Sequence, residues 1–260
     1  MILWPHVLPQ YIQASGYSEQ LANTMHRTQM DAGPAKARRR FTAAPRPLTG
    51  DIVVTAAQLT FFRYWYDNVL LGGTLRFGWV EPGSTTLLTN LITNGGFDSA
   101  TTGWGAGNCT IASVAGGISG YCLELTADDD PAHLTEQYAI QAISLTTAHQ
   151  YSLSGYVKSG TSGNEAFQLY LNEAGVAIRQ TISGTSSSDW AHNALDFTVT
   201  DTIDQISLTK GSATHGTMLF DEVSLVDITT GISEMRFTEP PVITAHGVEY
   251  RISMKLEILP

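Results

Sequence analysis

Cysteine is scarce in this sequence, with only Cys109 and Cys122 among 260 residues. Two thiols do not make the disulfide framework of a small secreted domain, and neither lies in a paired ligand motif of the kind that binds zinc. We interpret them as two reduced residues of the core. A hairpin disulfide stays open as an alternative, because the two positions are 13 residues apart in a strand-rich region.

Long apolar runs and an export leader are also missing. No stretch approaches the ~20 apolar residues that span a membrane. The first ten residues contain no Lys or Arg and are interrupted by Pro5 and Pro9, which is unlike a secretory signal. We therefore predict no membrane insertion and no secretion, so that the protein stays in the cytosol or leaves as part of a particle.

No recognisable catalytic motif occurs. The sequence has no G-x-S-x-G elbow, phosphate-binding loop or dinucleotide fingerprint, and its seven histidines are scattered without metal-binding spacing. Glycoside cleavage requires two carboxylates that flank the bond. The middle of the chain has many carboxylates, but no pattern marks a pair. We predict that the chain is not an enzyme.

Positive charge is nearly absent from the middle of the chain. Residues 1–86 carry eight basic and five acidic residues, residues 87–231 carry three and fifteen, and residues 232–260 carry three and four. Binding to a phosphate backbone requires clustered Lys and Arg, so this composition argues against sequence-specific nucleic-acid recognition. The step in charge indicates two structural units with different surroundings.

The end of the chain has the clearest strand pattern. Residues 248–258 alternate between apolar and polar side chains, which predicts a strand with one buried face. Its expected partners are two strands near the other end of the chain, at 23–30 and 36–44. These two flank an Asp-Ala-Gly-Pro turn at 31–34.

A single helix is predicted after these strands. Thr55 is the expected N-cap, apolar residues follow at helical spacing, and Gly72 and Gly73 end the helix. A further strand is expected at 74–80. We therefore expect residues 1–86 and 231–260 to form one discontinuous domain.

Residues 87–230 have a different character. Seven or eight short segments typical of strands alternate with turns rich in Gly, Ser, Thr and Asn, and helical periodicity is almost absent. This pattern predicts an antiparallel sandwich. The predicted fold class is mainly β, with a small β-sandwich or barrel domain that contains one helix and is interrupted by an inserted antiparallel jelly-roll sandwich.

Two motifs bracket the middle segment. It opens with NLITNGGFDSATTGW (90–104) and closes with LFDEVSLVD (219–227), with QYSLSGYVKSG (150–160) between them. In this order the motifs resemble the jelly-roll carbohydrate-binding modules of the galactose-binding-like superfamily. The resemblance implies a jelly-roll fold and suggests glycan binding.

The outer segments contain motifs in a fixed order: SGYSEQL (15–21), MDAGPAKARRR (30–40), FFRYWYDN (61–68), LRFGWVEP (75–82), MRFTEPP (235–241) and YRISMKLEILP (250–260). Together they resemble the distal-tail family of lambda-type minor tail proteins of tailed phages. The resemblance implies a cyclic homo-oligomer, typically a hexamer, whose partners are the tail tube and other tail-tip proteins. It also implies a place in the virion, at a tail tip assembled in the host cytoplasm.

These observations lead to a prediction of function. The chain is expected to be a structural tail-tip ring protein that joins the tail tube to the tip complex, with an inserted module that binds host-surface glycan. Two alternatives stay open. In the first, the jelly roll is purely architectural. In the second, the chain is a carbohydrate-binding accessory module of a glycan-active enzyme.

Sugar recognition combines flat aromatic faces with polar side chains that hydrogen-bond hydroxyl groups. The expected glycan-binding residues are Tyr151, Tyr156, Gln168, Tyr170 and Asn172. Tyr156 and Tyr170 lie on neighbouring predicted strands and are therefore expected to share one face.

No cofactor is expected, apart from a structural calcium ion that the first resemblance implies. In the related modules, one acidic residue of the opening motif and one of the closing motif often share such an ion. The corresponding residues here are Asp98 and Asp221, with backbone carbonyls near Asn94 as further ligands.

Arg38 and Arg40 are the candidate interface residues of the outer domain. On an alternating strand they point the same way, and Arg39 points the other way. In a ring they are expected to contact acidic residues of the next subunit or to line the lumen. An ordinary exposed strand face is the alternative.

Overall fold

A computed structural model of the chain describes residues 1–82, 84, 87–128, 137–161, 163–173, 177–211 and 215–260. Its helical segment is α1 (Ala56–Tyr64), continued by a π-helical turn (Trp65–Val69). Its strands are, in chain order, β1 (Gln13–Glu19), β2 (Met25–Thr28), β3 (Lys36–Arg39), β4 (Arg46–Val54), β5 (Phe77–Val80), β6 (Gly105–Gly107), β7 (Cys109–Ala115), β8 (Tyr121–Ala127), β9 (Tyr138–Ala142), β10 (Gln150–Ser159), β11 (Ala166–Glu173), β12 (Ala177–Thr185), β13 (Ala191–Thr198), β14 (Gln205–Lys210), β15 (Thr217–Asp227), β16 (Ile232–His246) and β17 (Glu249–Ile258). No helix in the described part of the chain is long and apolar enough to cross a membrane.

The chain divides into two compact units. Ile2–Thr86 and Gly231–Pro260 form one of them, which we call the split unit. Leu87–Thr230 belong to the other, which we call the jelly roll. The chain passes from one unit to the other after residue 86 and again after residue 230. The balance of basic and acidic residues along the sequence changes at these same places.

The split unit is built on one antiparallel sheet with the strand order β1-β4-β17-β16-β5. β17 is the central strand, and its buried residues alternate with more exposed ones, as the period-2 pattern predicts. The buried set is Ile252, Met254, Leu256 and Ile258. The prediction of a long terminal strand with one buried face is confirmed.

The predicted partners of this strand were wrong. β17 pairs with β4, from Tyr250 opposite Val54 to Ile258 opposite Arg46, whereas within the described residues β2 and β3 pair with each other alone. The physical reason is burial. β4 presents Leu48, Ile52 and Val54 to the core, but neither strand of the β2–β3 hairpin has a buried residue.

The helix of the split unit begins as the sequence predicts. The Thr55 hydroxyl accepts a hydrogen bond from the Gln58 backbone, and the Gln58 side chain accepts one from the Thr55 backbone, which makes a capping box. Next to the helix, Trp4 stacks on Trp79 with ring centroids 4.1 Å apart, and Trp65 meets Trp4 edge to face at 5.3 Å. These rings are the core of the unit.

The jelly roll contains two antiparallel sheets of five strands each. The β10 sheet has the order β13-β10-β15-β8-β7, and the β11 sheet has the order β12-β11-β14-β9-β6. Apolar side chains from both sheets form one shared core. The predicted fold class, mainly β with an antiparallel jelly-roll sandwich, is confirmed.

The opening and closing motifs of the jelly roll lie side by side. The Asn90 side chain donates to the Val223 carbonyl and accepts from the Leu225 backbone N–H, each at 2.9 Å. Gly95 approaches Val223 so closely that a Cβ on the glycine would lie 2.0 Å from the carbonyl oxygen. Only glycine fits there.

The two cysteines do not form a disulfide. β7 pairs with β8, and in this register Cys109 lies opposite Ala127 while Cys122 lies opposite Val114. The thiols are therefore near opposite ends of the paired strands. Both are free, and burial raises the pKa of Cys122 to about 12, so it is an unreactive thiol.

Candidate functional site

The outward face of the β11 sheet is the candidate site. Along β11, Phe167, Leu169 and Leu171 are buried in the core. Gln168 and Tyr170 alternate with them and therefore lie on the outward face. The strand thus presents an amide and an aromatic ring two residues apart, roughly 7 Å along the strand.

Neighbouring strands add polar and aromatic groups to this face. Gln168 lies between Ser183 on β12 and Thr209 on β14, and Thr209 lies opposite Tyr138 on β9. These pairs form one continuous row across four strands. Hydroxyl, amide and phenol groups therefore stand next to each other on one surface.

Tyr138 is accommodated by a glycine on the edge strand. Gly107 on β6 pairs with Tyr138, and a Cβ on Gly107 would lie 2.4 Å from a ring carbon of Tyr138. The missing side chain leaves room for the ring against the backbone of β6. Gly107 therefore sets the position of an aromatic residue at one side of the face.

These residues line an open groove of about 880 Å³. Its lining is mainly uncharged, and it comprises Tyr138, Ala166, Phe167, Gln168, Tyr170, Ile178, Ser183, Gly184, Thr185, Thr209, Lys210 and Gly211. Two tyrosines with interspersed hydroxyl and amide groups match the two surfaces of a sugar, an apolar face and a polar rim.

Lys210, in the described lining of the groove, is neutralised by Glu165. Lys210 Nζ lies 2.8 Å from Glu165 Oε2, and the two side chains are 0% and 6% exposed. The pair is therefore shielded from water and from any molecule in the groove. The rest of the groove lining that the structure describes carries no charged side chain.

Two predicted glycan-binding residues, Tyr151 and Tyr156, are not available to a ligand, so these assignments are corrected. They are 3% and 4% exposed. The Tyr151 hydroxyl accepts a hydrogen bond from the Thr146 backbone, and its ring packs on Phe197 inside the core. Tyr156 packs against the ring of His192, which lies opposite it on the neighbouring strand β13 of the same sheet.

The expectation that Tyr156 and Tyr170 share a face was also wrong. β10 and β11 follow each other in the chain but belong to different sheets of the sandwich. A jelly roll passes between its sheets at such connections, so adjacency in sequence does not place two strands side by side.

The remaining predicted residue, Asn172, lies further along the outward side of β11. Its side-chain amide donates to Gln205 Oε1 at 3.1 Å, across the pair of strands. It lies outside the groove lining. Sequence reasoning did not identify Tyr138 and Thr209, because the register that places them beside Gln168 has no signal in a single sequence.

The two acidic residues predicted to bind calcium lie near one another. Asp221 is buried, and its carboxylate accepts hydrogen bonds from the backbone N–H groups of Ile118 and Glu222, both at 2.8 Å. Burial, together with the smaller effect of the nearby charge of the exposed Asp98, raises the pKa of Asp221 to about 7. Burial and then the Asp221 charge raise the pKa of Glu222 to about 8.

The side chains of this cluster offer carboxylate oxygens, which are the kind of donor that a hard cation such as calcium prefers. The Asn94 carbonyl is already used, since it accepts from the Phe97 backbone and from the Trp104 indole. Within the described residues, no group of three or more His, Cys, Asp or Glu side chains is arranged to hold a metal ion. A calcium site would therefore need backbone oxygens or water to complete it.

Arg38 and Arg40 are exposed at the β2–β3 hairpin of the split unit. Arg38 lies opposite His26, and the Arg40 backbone donates to the Thr24 carbonyl at 2.8 Å. The Arg40 guanidinium lies 5.2 Å from the ring centre of Phe41. In the described part of the chain neither arginine forms an ion pair.

Comparison with known proteins concerns the jelly roll. Residues 89–211 match the model of a family described as "Carbohydrate binding domain". Among solved structures, one described as "CBM4 structure and function" is 20% identical, with 52% of this chain and 99% of that chain covered and a TM-score of 0.42. The xylan-binding domain CBM22-1 from Paenibacillus barcinonensis is 16% identical, with 56% and 99% covered and a TM-score of 0.43.

A third structure, the enzymatically active domain of tailspike protein 4 of bacteriophage CBA120, is 13% identical, with a TM-score of 0.42. The match covers 54% of this chain and 21% of the tailspike chain. No curated protein matches the chain. The family match supports a carbohydrate-binding module in the jelly roll.

Proposed function

We propose that this chain is a structural component of the tail tip of a tailed phage, and that its jelly roll binds a glycan of the host surface. The observation that carries the binding part is the open groove on the β11 sheet. Gln168 and Tyr170 meet Tyr138 and Thr209 there, in a segment that a carbohydrate-binding family model matches.

The groove favours an uncharged sugar chain. Tyrosine rings offer flat surfaces to the C–H faces of a sugar, and the amide and hydroxyl groups hydrogen-bond its rim. The jelly roll as a whole carries three basic and fifteen acidic residues, so it repels sulfated or uronic-acid polymers. Since Lys210 is paired with Glu165, no cation among the described lining residues offsets this repulsion.

The tail-tip part of the proposal depends on the order of motifs in the split unit. A cyclic homo-oligomer of that unit would present several jelly rolls at once. Weak binding in each groove then gains avidity, because after the first contact the other grooves meet the surface at high effective concentration. A shallow, open groove is sufficient under these conditions.

The binding part is tested with a glycan array and calorimetry. We expect Gln168→Ala and Tyr170→Ala each to weaken glycan binding about tenfold, which corresponds to about 1.4 kcal/mol. Tyr121→Ala is the matched control, because Tyr121 is 49% exposed on β8 of the other sheet and should leave affinity unchanged.

The outcomes also separate the alternatives. If no glycan binds, or if both groove variants bind as the unaltered protein does, the jelly roll is an architectural element. Release of sugars from host polysaccharide would establish an enzyme instead. Electron microscopy of the full-length protein tests the ring, and a monomer at high concentration would contradict the tail-tip proposal without affecting the groove.

A further inference from the structure

A bulge in β12 brings an apolar side chain onto the face that carries the groove. Thr181 pairs with Tyr170, and after a shift in register Ile178 pairs with Asn172. Tyr170 and Asn172 are two residues apart and share the outward face of β11. Positions 178 and 181 are three residues apart and would lie on opposite faces of a regular strand. The bulge therefore places Ile178 on the outward face, in the way that bulges beside binding sites re-aim a side chain.

Ile178 is exposed although the other Leu and Ile side chains of β11 and β12 are buried. It is 55% exposed and forms part of the groove lining. A sugar hydroxyl placed against this side chain would lose its hydrogen bond to water and gain none. A methyl group in the same place removes apolar surface from water on both sides of the contact. Ile178 therefore favours a sugar that carries a methyl-bearing substituent.

We use the name amide row for Ile178, Asn172 and Gln205, which lie side by side on β12, β11 and β14. Asn172 Nδ2 donates to Gln205 Oε1 at 3.1 Å. Asn172 Oδ1 is shielded from water and has no hydrogen-bond partner among the described residues. The last torsion of an asparagine is soft, so a small turn of the amide presents this oxygen to the groove. Because a buried acceptor without a partner is costly, the amide row favours a ligand that brings an N–H group.

Arg179, the residue that follows Ile178, does not make this end of the groove a site for acidic sugars. Its guanidinium lies 2.6 Å from a carboxylate oxygen of Glu173 and 3.8 Å from one of Asp201. Two carboxylates thus surround the cation, and a carboxylate ligand would meet more negative than positive charge. The amide row therefore suits an uncharged substituent.

An acetamido group combines a methyl group, an N–H donor and a carbonyl acceptor in one planar unit. We propose that the amide row recognises the 2-acetamido group of a neutral N-acetylhexosamine. The methyl group packs on Ile178, the N–H donates to Asn172 Oδ1, and the carbonyl accepts from Gln205 Nε2. Tyr170, roughly 7 Å from Asn172 along β11, stacks on the sugar ring. The inference rests on the proposed glycan binding, names its sugar class and is independent of the tail-tip role.

Two tetrasaccharides isolate the acetamido group. Chitotetraose and cellotetraose have the same rings and the same linkage, and they differ only in an acetamido group or a hydroxyl at the second carbon of each ring. In calorimetry with the full-length protein, we expect chitotetraose to bind about tenfold more tightly. Equal affinity, or tighter binding of cellotetraose, overturns the inference and leaves glycan binding in place.

The glycan array separates failure of the inference from failure of the proposed function. We expect the bound glycans to contain N-acetylhexosamine. Bound glycans that lack an acetamido group reject the amide row as the recognition element, whereas the groove remains a binding site. If neither tetrasaccharide nor any glycan of the array binds, the proposed glycan function fails together with the inference.

Replacement of the exposed isoleucine tests its contact without removing a core residue. We expect Ile178→Ala to weaken chitotetraose binding about fivefold and to leave cellotetraose binding and the melting temperature unchanged. Val242→Ala is the matched control, because Val242 is a β-branched residue 60% exposed on β16 of the split unit. Tyr170→Ala should weaken the binding of both tetrasaccharides. If Ile178→Ala weakens both equally, Ile178 contacts the sugar ring and the acetamido assignment is wrong.

Saturation-transfer NMR locates the same contact on the ligand. We expect the acetyl methyl protons of chitotetraose to receive the strongest saturation from the unaltered protein. In Ile178→Ala this methyl signal should fall more than the signals of the ring protons. Saturation confined to the ring protons would show that the acetamido groups point into solvent, which contradicts the proposal.

Discussion

The two sheets of the jelly roll bury charge in opposite ways. At the β11 sheet, Lys210 is buried together with Glu165, and the two charges neutralise each other at 2.8 Å. On the β10 sheet, Asp221 and Glu222 are adjacent in β15 and buried, and both have a raised pKa. A buried charge needs an opposite charge, a proton or a cation. The β11 sheet pairs its buried charge with an opposite charge. The buried carboxylates of the β10 sheet instead have raised pKa values, which favour their protonated forms.

Removal of one member of the neutral pair should have the largest effect. Lys210→Met leaves the Glu165 carboxylate buried without its partner, and we expect it to destabilise the jelly roll by about 3–5 kcal/mol. Denaturant unfolding measures this loss. Lys210→Met/Glu165→Leu should recover most of it, and Lys158→Met, at a half-buried position, should cost little. A double variant as unstable as the single one would contradict the neutral pair.

Asp221 and Glu222 should make the free energy of unfolding fall as the pH rises, whereas most carboxylates make it rise. Folding raises the pKa values of Asp221 and Glu222, so the protonated forms favour the folded state. This stability is fully present below the ordinary carboxyl pKa of about 4 and is lost as the pH rises through about 7 to 8. In chelator we expect a loss of several kcal/mol between pH 4 and pH 8, measured as a lower melting temperature. Asp221→Asn should reduce this slope.

Calcium provides the second part of this test. If the ion binds at Asp98 and Asp221, its addition at pH 8 should raise the melting temperature again, because it replaces the protons. Asp98→Asn should remove the calcium effect and leave the pH slope largely in place. A melting temperature at pH 8 that is the same in calcium and in chelator would show that no calcium site exists.

Replacing a tyrosine in each sheet by phenylalanine should change the free energy of unfolding by smaller amounts. Tyr151→Phe removes the acceptor of the Thr146 backbone N–H inside the core, and we expect a loss of about 1–2 kcal/mol. Tyr170→Phe, on the groove, should change the unfolding free energy by less than about 0.5 kcal/mol and affect glycan binding instead. Equal stability changes at both positions would mean that Tyr170 also belongs to the core.

The strand alternation of β11 was sufficient to find two residues of the groove. Gln168 and Tyr170 are separated by one buried leucine, and this local pattern fixes the face on which they lie. The pattern of β10 could not do the same for Tyr151 and Tyr156. The two tyrosines are five positions apart, so alternation places them on opposite faces of β10, but it does not show that both faces are covered, as the structure has them.

The pairing of strands that are distant in the chain could not be predicted from the sequence either. The partner of β17 is β4, which contains Pro47 and Gly50 and therefore has a weak strand signal. Residues 23–30 and 36–44 flank a clear turn signal, which favoured them as the expected partners instead. The Lys210–Glu165 pair also joins residues 45 positions apart, and a single sequence contains no trace of such a contact.

The position of β17 has a consequence for the order of events during synthesis. β17 separates β4 from β16 in the split unit and follows the whole jelly roll in the chain. The first strands of that sheet therefore wait at the ribosome for a central strand that is made about 200 residues later, ~10–40 s at ordinary elongation rates. During this time the exposed edge of β4 is a hazard for aggregation. A jelly roll that folds first brings β5 and β16 together and shortens the loop that the sheet must close.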